Sequence, residues 1–201
     1  MNKVYAMTDS LGGILKEYSN DINATIKINQ ALDFYIEQYK ELAKDKGNLT
    51  AIHSYHVELD EQVKAKKIKV PELAKDIKCK MGCSHCCYND VCVSRDEAAL
   101  IKSVIENRRI VIDMSMLRKQ AKEKSKSGRC VFLNNMGLCM IYEHRPAACR
   151  KLLIITDPEL CNLETINKVG RFVDWHIEVI ASAILNGSDS GSLPKMLLKE
   201  L

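Results

Sequence analysis

No run in this 201-residue chain approaches the roughly 20 apolar residues that a bilayer-spanning helix needs. The opening "MNKVYAMTDSLGG" lacks the apolar core and small-residue cleavage site of a secretory signal. Together these absences argue against a membrane partner and lead to the expectation of a cytoplasmic protein. A glycine-rich GxGxxG loop is missing too, which argues against a conventional nucleotide-binding methyltransferase. Neither charge dominates: 30 basic residues face 26 acidic ones, for a net charge of +4. The basic run "RKQAKEKSKSGR" carries no interleaved aromatics, so it reads as a surface helix end and loop, and nucleic acid is not the expected partner. There is no internal repeat.

What remains is a chain with 46% hydrophobic residues and a mean hydropathy of -0.18, the profile of one well-packed soluble domain over 1–201. Against that ordinary background stand nine cysteines. In a reducing compartment disulfides are a poor explanation for them, and an odd count leaves one unpaired in any full pairing. Neighbours such as Cys86 and Cys87 rarely bridge each other without strain, whereas both can offer thiolates to a metal. Coordination is the better reading.

The apolar pattern predicts a mainly α fold. Leu11, Leu15, Tyr18, Ile22, Ile26, Leu32, Ile36, Tyr39 and Leu42 recur near a 3.6-residue period, which predicts one long amphipathic helix over 11–45. One or two shorter helices follow over 51–78, with Pro71 suited to a first turn. Ser94 and Glu97 form a capping box for a helix through Ile105, and another helix is expected from Met114 to Lys124. "RCVFLNNMGLCMIY" alternates apolar runs around a turn at Asn134 to Gly137, which reads as a small β-hairpin. Pro146 is placed to begin a helical turn presenting Cys149. The stripe Ile166, Val169, Val173, Ile177, Ile180 and Ile184 predicts a core helix over 164–186, followed by a flexible "SDSGS" break and a short terminal helix.

Cys79, Cys83, Cys86 and Cys87 form the pattern CxxxCxxCC, and Cys130, Cys139 and Cys149 return later. A tetrahedral zinc site takes about four thiolate or imidazole ligands, and an iron-sulfur cluster takes about four thiolates, so both remain open. A histidine-poor set suits the second. His85 and His144 lie close enough in sequence to be alternative ligands, whereas His53, His56 and His176 read as packed or surface residues. Arg145 and Arg150 suit the offsetting of negative charge on a thiolate-bound centre. Cys92, in an alternating apolar run, and Cys161, after the turn at Asp157 and Pro158, read as packed thiols outside the ligand set.

"CKMGCSHCC", "VCVSRDEAALI" and "CVFLNNMGLCMIYEHRPAACR", ending in RPxxCR, resemble the segments of the zinc- or iron-chelating cysteine-cluster (CxxCxxCC) domain family. The first gap has three residues where the family name has two. The resemblance implies a metal-binding core over 79–150, ligated by Cys79, Cys83, Cys86, Cys87, Cys130, Cys139 and Cys149 and flanked by helices 11–45 and 164–186. The cysteine-rich region of flagellin lysine methylase is similar, which implies an enzymatic alternative: methyl transfer from S-adenosylmethionine, or redox chemistry, beside a 4Fe-4S cluster. A third reading is a zinc-stabilised module that docks a protein partner. The spacing of Cys79, Cys83 and Cys86 also matches radical S-adenosylmethionine enzymes, but no succession of strands after Cys87 could build their barrel.

Overall fold

The computed structural model describes residues 6–122, 128–161 and 168–201. The fold is mainly helical, with two-stranded antiparallel sheets among the described residues. Helix α1 (Asp9–Glu17) is capped by Thr8, whose hydroxyl accepts from Leu11 N. The helix predicted over 11–45 is broken: Ser19, Asn20 and Asp21 interrupt it, and α2 (Ile22–Lys46) begins afresh. Asp21 is the physical cause, because its side chain accepts from Ala24 N at 3.0 Å and gives the backbone a cap in place of a continuing turn. Gly47, at φ 85, then closes α2 and opens α3 (Asn48–Lys69). Pro71 starts α4 (Pro71–Asp76), which delivers the chain to Cys79.

Strand β1 (Cys92–Ser94) leads into α5 (Arg95–Arg108) through the predicted capping box of Ser94 and Glu97. Helix α6 (Met114–Lys122) matches expectation as far as the described residues run; the rest of that predicted helix and part of the basic run lie outside them. Two turns of 3-10 helix, at His85–Tyr88 and Tyr142–His144, flank the hairpin, and α7 (Ala147–Arg150) follows Pro146.

The helix predicted over 164–186 begins later than its stripe implies. Residues 162–167 lie outside the described residues, Arg171–Phe172 is strand β3, and α8 (Trp175–Gly187) starts at an Asp174 cap. β3 pairs with β2 (Leu153–Ile154), Leu153 opposite Phe172. Gly170 permits that approach, since a Cβ there would stand 2.7 Å from Thr156 Cγ2. Val169 and Val173 match the helical period by coincidence of spacing. The predicted flexible "SDSGS" is likewise ordered: Ser190–Ser192 is β4, paired with β1 in the register Cys92 to Ser192, before α9 (Leu193–Glu200).

Two apolar clusters share α5 as their common wall. Leu32, Ile36 and Tyr39 of α2 meet Ile52 and Leu59 of α3, Leu100 of α5, and Ile180 and Ile184 of α8. On the other side Ile101 and Val104 pack with Val93, Leu117, Phe132, Ile141, Met196 and Leu197. Several buried polar groups there are paired. The Tyr39 hydroxyl donates to Asp96 Oδ2 at 2.6 Å, and buried Glu178 of α8 accepts from Thr8 Oγ1 and from Lys151 Nζ just after α7. No described helix is long and apolar enough to cross a membrane.

Candidate metal centre

All nine cysteines are free thiols. The backbone brings them together by short local devices. Leaving α4, the chain pairs with β2: Lys78 N donates to Ile154 O at 2.8 Å, and Ile154 N donates to Cys79 Sγ at 3.3 Å. Gly82, at φ 87, turns the chain so that Cys83 N donates to Lys80 O. The 3-10 turn His85–Tyr88 then carries Cys86 and Cys87. Cys130 docks onto that turn, its N–H donating to Cys87 O at 2.8 Å.

The hairpin is pared to a single bridge, Leu133 opposite Cys139, with Met140 N donating to Phe132 O at 2.8 Å. Its turn is the expected one. Asn134 Oδ1 accepts from Met136 N and Leu138 N, and Gly137 adopts φ 75. Cys149 sits in α7, whose first residue, Ala147, donates its N–H to Glu97 Oε1 at 2.7 Å. Glu97 Oε1 is also 2.9 Å from His56 Nε2. The buried pair thereby ties the cysteine-bearing turn to α3 and α5.

Cys83, Cys86, Cys87, Cys130, Cys139 and Cys149 line one small cavity of about 120 Å³, with Arg145 on its wall. Cys79 stands outside that lining, against β2. Arg145 stacks over the Tyr142 ring at 4.3 Å; burial raises the thiols of Cys79, Cys139 and Cys149, and the Arg145 charge offsets part of that rise while helping to lower Cys86. Arg150 has a different place. Its guanidinium pairs with Asp60 and donates to Arg145 O and Glu143 O, so it holds the backbone that presents Arg145.

None of the five histidines lines this cavity. His85 and His53 are exposed, His144 contacts Arg108, His56 is held by Glu97, and His176 lies 2.8 Å from the Tyr35 hydroxyl.

Thiol chemistry across the cluster is uneven. Cys86 is pulled down to about 7, chiefly because the Cys87 thiol donates to it, with Arg145 assisting against the cost of burial. Cys87 is pushed up, having committed its proton to Cys86. Burial raises Cys149 and lifts Cys130 to about 11, and nearby thiolates add to both. Without a cation the cluster therefore favours a thiolate at Cys86 among protonated neighbours. A metal ion inverts that preference, since its charge offsets the burial that keeps the others protonated.

The donor set, free thiols with a guanidinium beside them and no imidazole competing, fits zinc or iron chemistry. Among the described residues no three His, Cys, Asp or Glu side chains already stand in ion-holding geometry. The cysteines share a cavity rather than a finished coordination polyhedron.

Two thiols depart from expectation. Cys92, predicted to pack, is exposed at the start of β1, while Val93 and Ser94 after it are buried. Cys161 is 2% exposed, as a packed thiol should be, yet it lies at the cluster: Asn89 Nδ2, just past the 3-10 turn, donates to Cys161 O at 3.1 Å. Burial and the thiolates of Cys86, Cys79 and Cys83 lift it to about 11. No local motif marks it. A larger cavity, of about 760 Å³, has Cys86, Cys149 and Cys161 on its wall together with Lys151, Arg171 and Asp9.

No curated protein and no solved structure matches the chain. One family model does, described as "CxxCxxCC: Putative zinc- or iron-chelating domain", and it matches residues 78–167. That span holds the 3-10 turn, the bridge, α7 and Cys161, so the part of the chain that is similar to the CxxCxxCC family is the part that carries the clustered cysteines.

Proposed function

We propose that this protein binds zinc or iron through the thiolates of Cys79, Cys83, Cys86, Cys87, Cys130, Cys139 and Cys149. The observation that carries the reading is the convergence of six of these thiols, from the turn after Gly82, the 3-10 turn, the hairpin and α7, on one small cavity walled by Arg145. When bound, the metal supplies a cationic centre that holds three chain segments together; the protein's own groups supply the rest. Arg145 offsets the negative charge of the thiolates, Arg150 fixes the backbone of Arg145, and Glu97 holds the turn that carries Cys149. The test is anaerobic purification followed by elemental analysis and an absorption spectrum. Stoichiometric zinc or iron is the expected result, and its absence from carefully handled protein would overturn the reading.

The cavity of about 760 Å³ favours one second reading, a centre that a small molecule can approach. Its volume is within the usual range of small-molecule sites, and Cys86 and Cys149 line both cavities. S-adenosylmethionine is the ligand to try. Binding that perturbs the metal-linked absorption would support an enzyme, and no binding under anaerobic conditions would leave the centre structural.

A further inference from the structure

We infer that the centre is binuclear: Cys161 completes a four-thiolate group with Cys79, Cys83 and Cys86, set against a second group of Cys87, Cys130, Cys139 and Cys149. The inference rests on the metal-binding reading above and extends it in ligand set and stoichiometry.

Backbone connections divide seven of the eight thiols; Cys83, which lines the small cavity, is grouped with Cys79 and Cys161 because its charge acts on both. On one side Cys79 is strapped to β2 by the Lys78 and Ile154 hydrogen bonds, and the chain leaving Ile154 returns within seven residues to Cys161. Asn89 anchors the Cys161 carbonyl beside the 3-10 turn, so Cys161 meets that turn from the β2 side. On the other side Cys130 is bonded to the Cys87 carbonyl, Cys139 follows it through the Leu133 bridge, and Cys149 closes the cavity from α7. The two sets meet at Cys86 and Cys87. In a 3-10 turn of three residues per turn, successive side chains leave about 120° apart, so neighbouring cysteines can serve different ions while their sulfurs touch.

The donor count agrees. Four thiolates fill one tetrahedral site, and eight fill two. The ninth cysteine, Cys92, is exposed on β1 at the rim of the larger cavity, with the carboxylates of Glu97, Asp90 and Asp9 rather than other thiols as its charged neighbours.

Anaerobic titration of metal-free protein with cobalt(II), read by thiolate-to-metal charge-transfer absorption, tests the division, with bound zinc counted by elemental analysis as a parallel readout. Wild type and Cys92→Ser are expected to saturate at two equivalents, and Cys161→Ser, Cys83→Ser and Cys139→Ser at one each. Saturation of wild type at one equivalent, or of folded Cys161→Ser at two, would overturn the inference while leaving metal binding intact. If Cys161→Ser does not fold by circular dichroism, Cys83→Ser decides for the same group: one equivalent supports the division and two overturns it. No cobalt or zinc uptake by wild type would instead sink the metal-binding reading itself, and this inference with it.

Discussion

Individual thiols in the cluster have separable chemistry. Cys149 is half-buried on the wall of the small cavity, whereas Cys92 is exposed and does not line it, so serine at the two positions has opposite consequences. Cys149→Ser is expected to lose metal and, because site formation is linked to folding, to melt earlier; Cys92→Ser should keep both. Metal per chain and a melting curve for each variant check this, and an unchanged Cys149→Ser would remove that residue from the ligand set. Metal-free protein offers a pH test. Cys86, held at about 7, should be alkylated with a midpoint near that pH, and Cys130, lifted to about 11, should resist. The stability of the metal-free chain follows the same shifts. Between the ordinary thiol value of 9.0 and about 11 the folded Cys130 keeps a proton that the unfolded chain releases, so its contribution falls as pH rises through that window. For Cys86 the sign is reversed: its contribution is present above 9.0 and lost as pH falls through about 7. Peptide-level mass spectrometry across pH reads the alkylation, and equal rates at the two sites would contradict the geometry.

Elements, rather than single ligands, decide whether the thiols meet. Glu97 accepts from Ser94 N and Ala147 N and pairs with His56, so Glu97→Ala strands buried groups on three elements and should cost roughly 2–4 kcal/mol, with metal content falling as α7 loosens. Glu97→Gln, which keeps an acceptor, should lose less. Thermal melts with metal analysis test this, and equal melting of all three proteins would show that the link is idle. Gly187, at the end of α8, lies against the Tyr39 ring, where a Cβ would come within 2.2 Å, so Gly187→Ala should cost about 1–3 kcal/mol in a denaturant titration. The capping box, the Asn134 turn and the Pro146 start were legible in sequence because each is a local device whose residues are adjacent in the chain. The break at Asp21 was not, since an apolar stripe runs through it unchanged and only the capping side chain interrupts the backbone. Strands β3 and β4 were hidden for a different reason: Arg171–Phe172 and Ser190–Ser192 are two and three residues long, and their pairing depends on partners 17 or more residues away.

At the scale of the whole molecule, α5 joins two apolar clusters, and the thiol-bearing turns fill the space beside it. Seven of the eight clustered cysteines could be picked out by their motifs. Cys161 could not, because burial alone makes a cysteine look like any packed thiol, and its neighbours come from the far side of the cluster. Cross-linking of segments by metal has a global consequence: chelation should lower the melting temperature, and readdition of zinc or iron should restore it. Acidification should release the metal, since protons compete for the thiolates that bind it. The most direct test of the central claim is the metal content of anaerobically purified protein, measured per chain with an absorption spectrum of the same sample. Stoichiometric zinc or iron, lost in Cys149→Ser and kept in Cys92→Ser, is the expected result, and metal-free wild type with an unchanged melting curve after zinc or iron addition would contradict it.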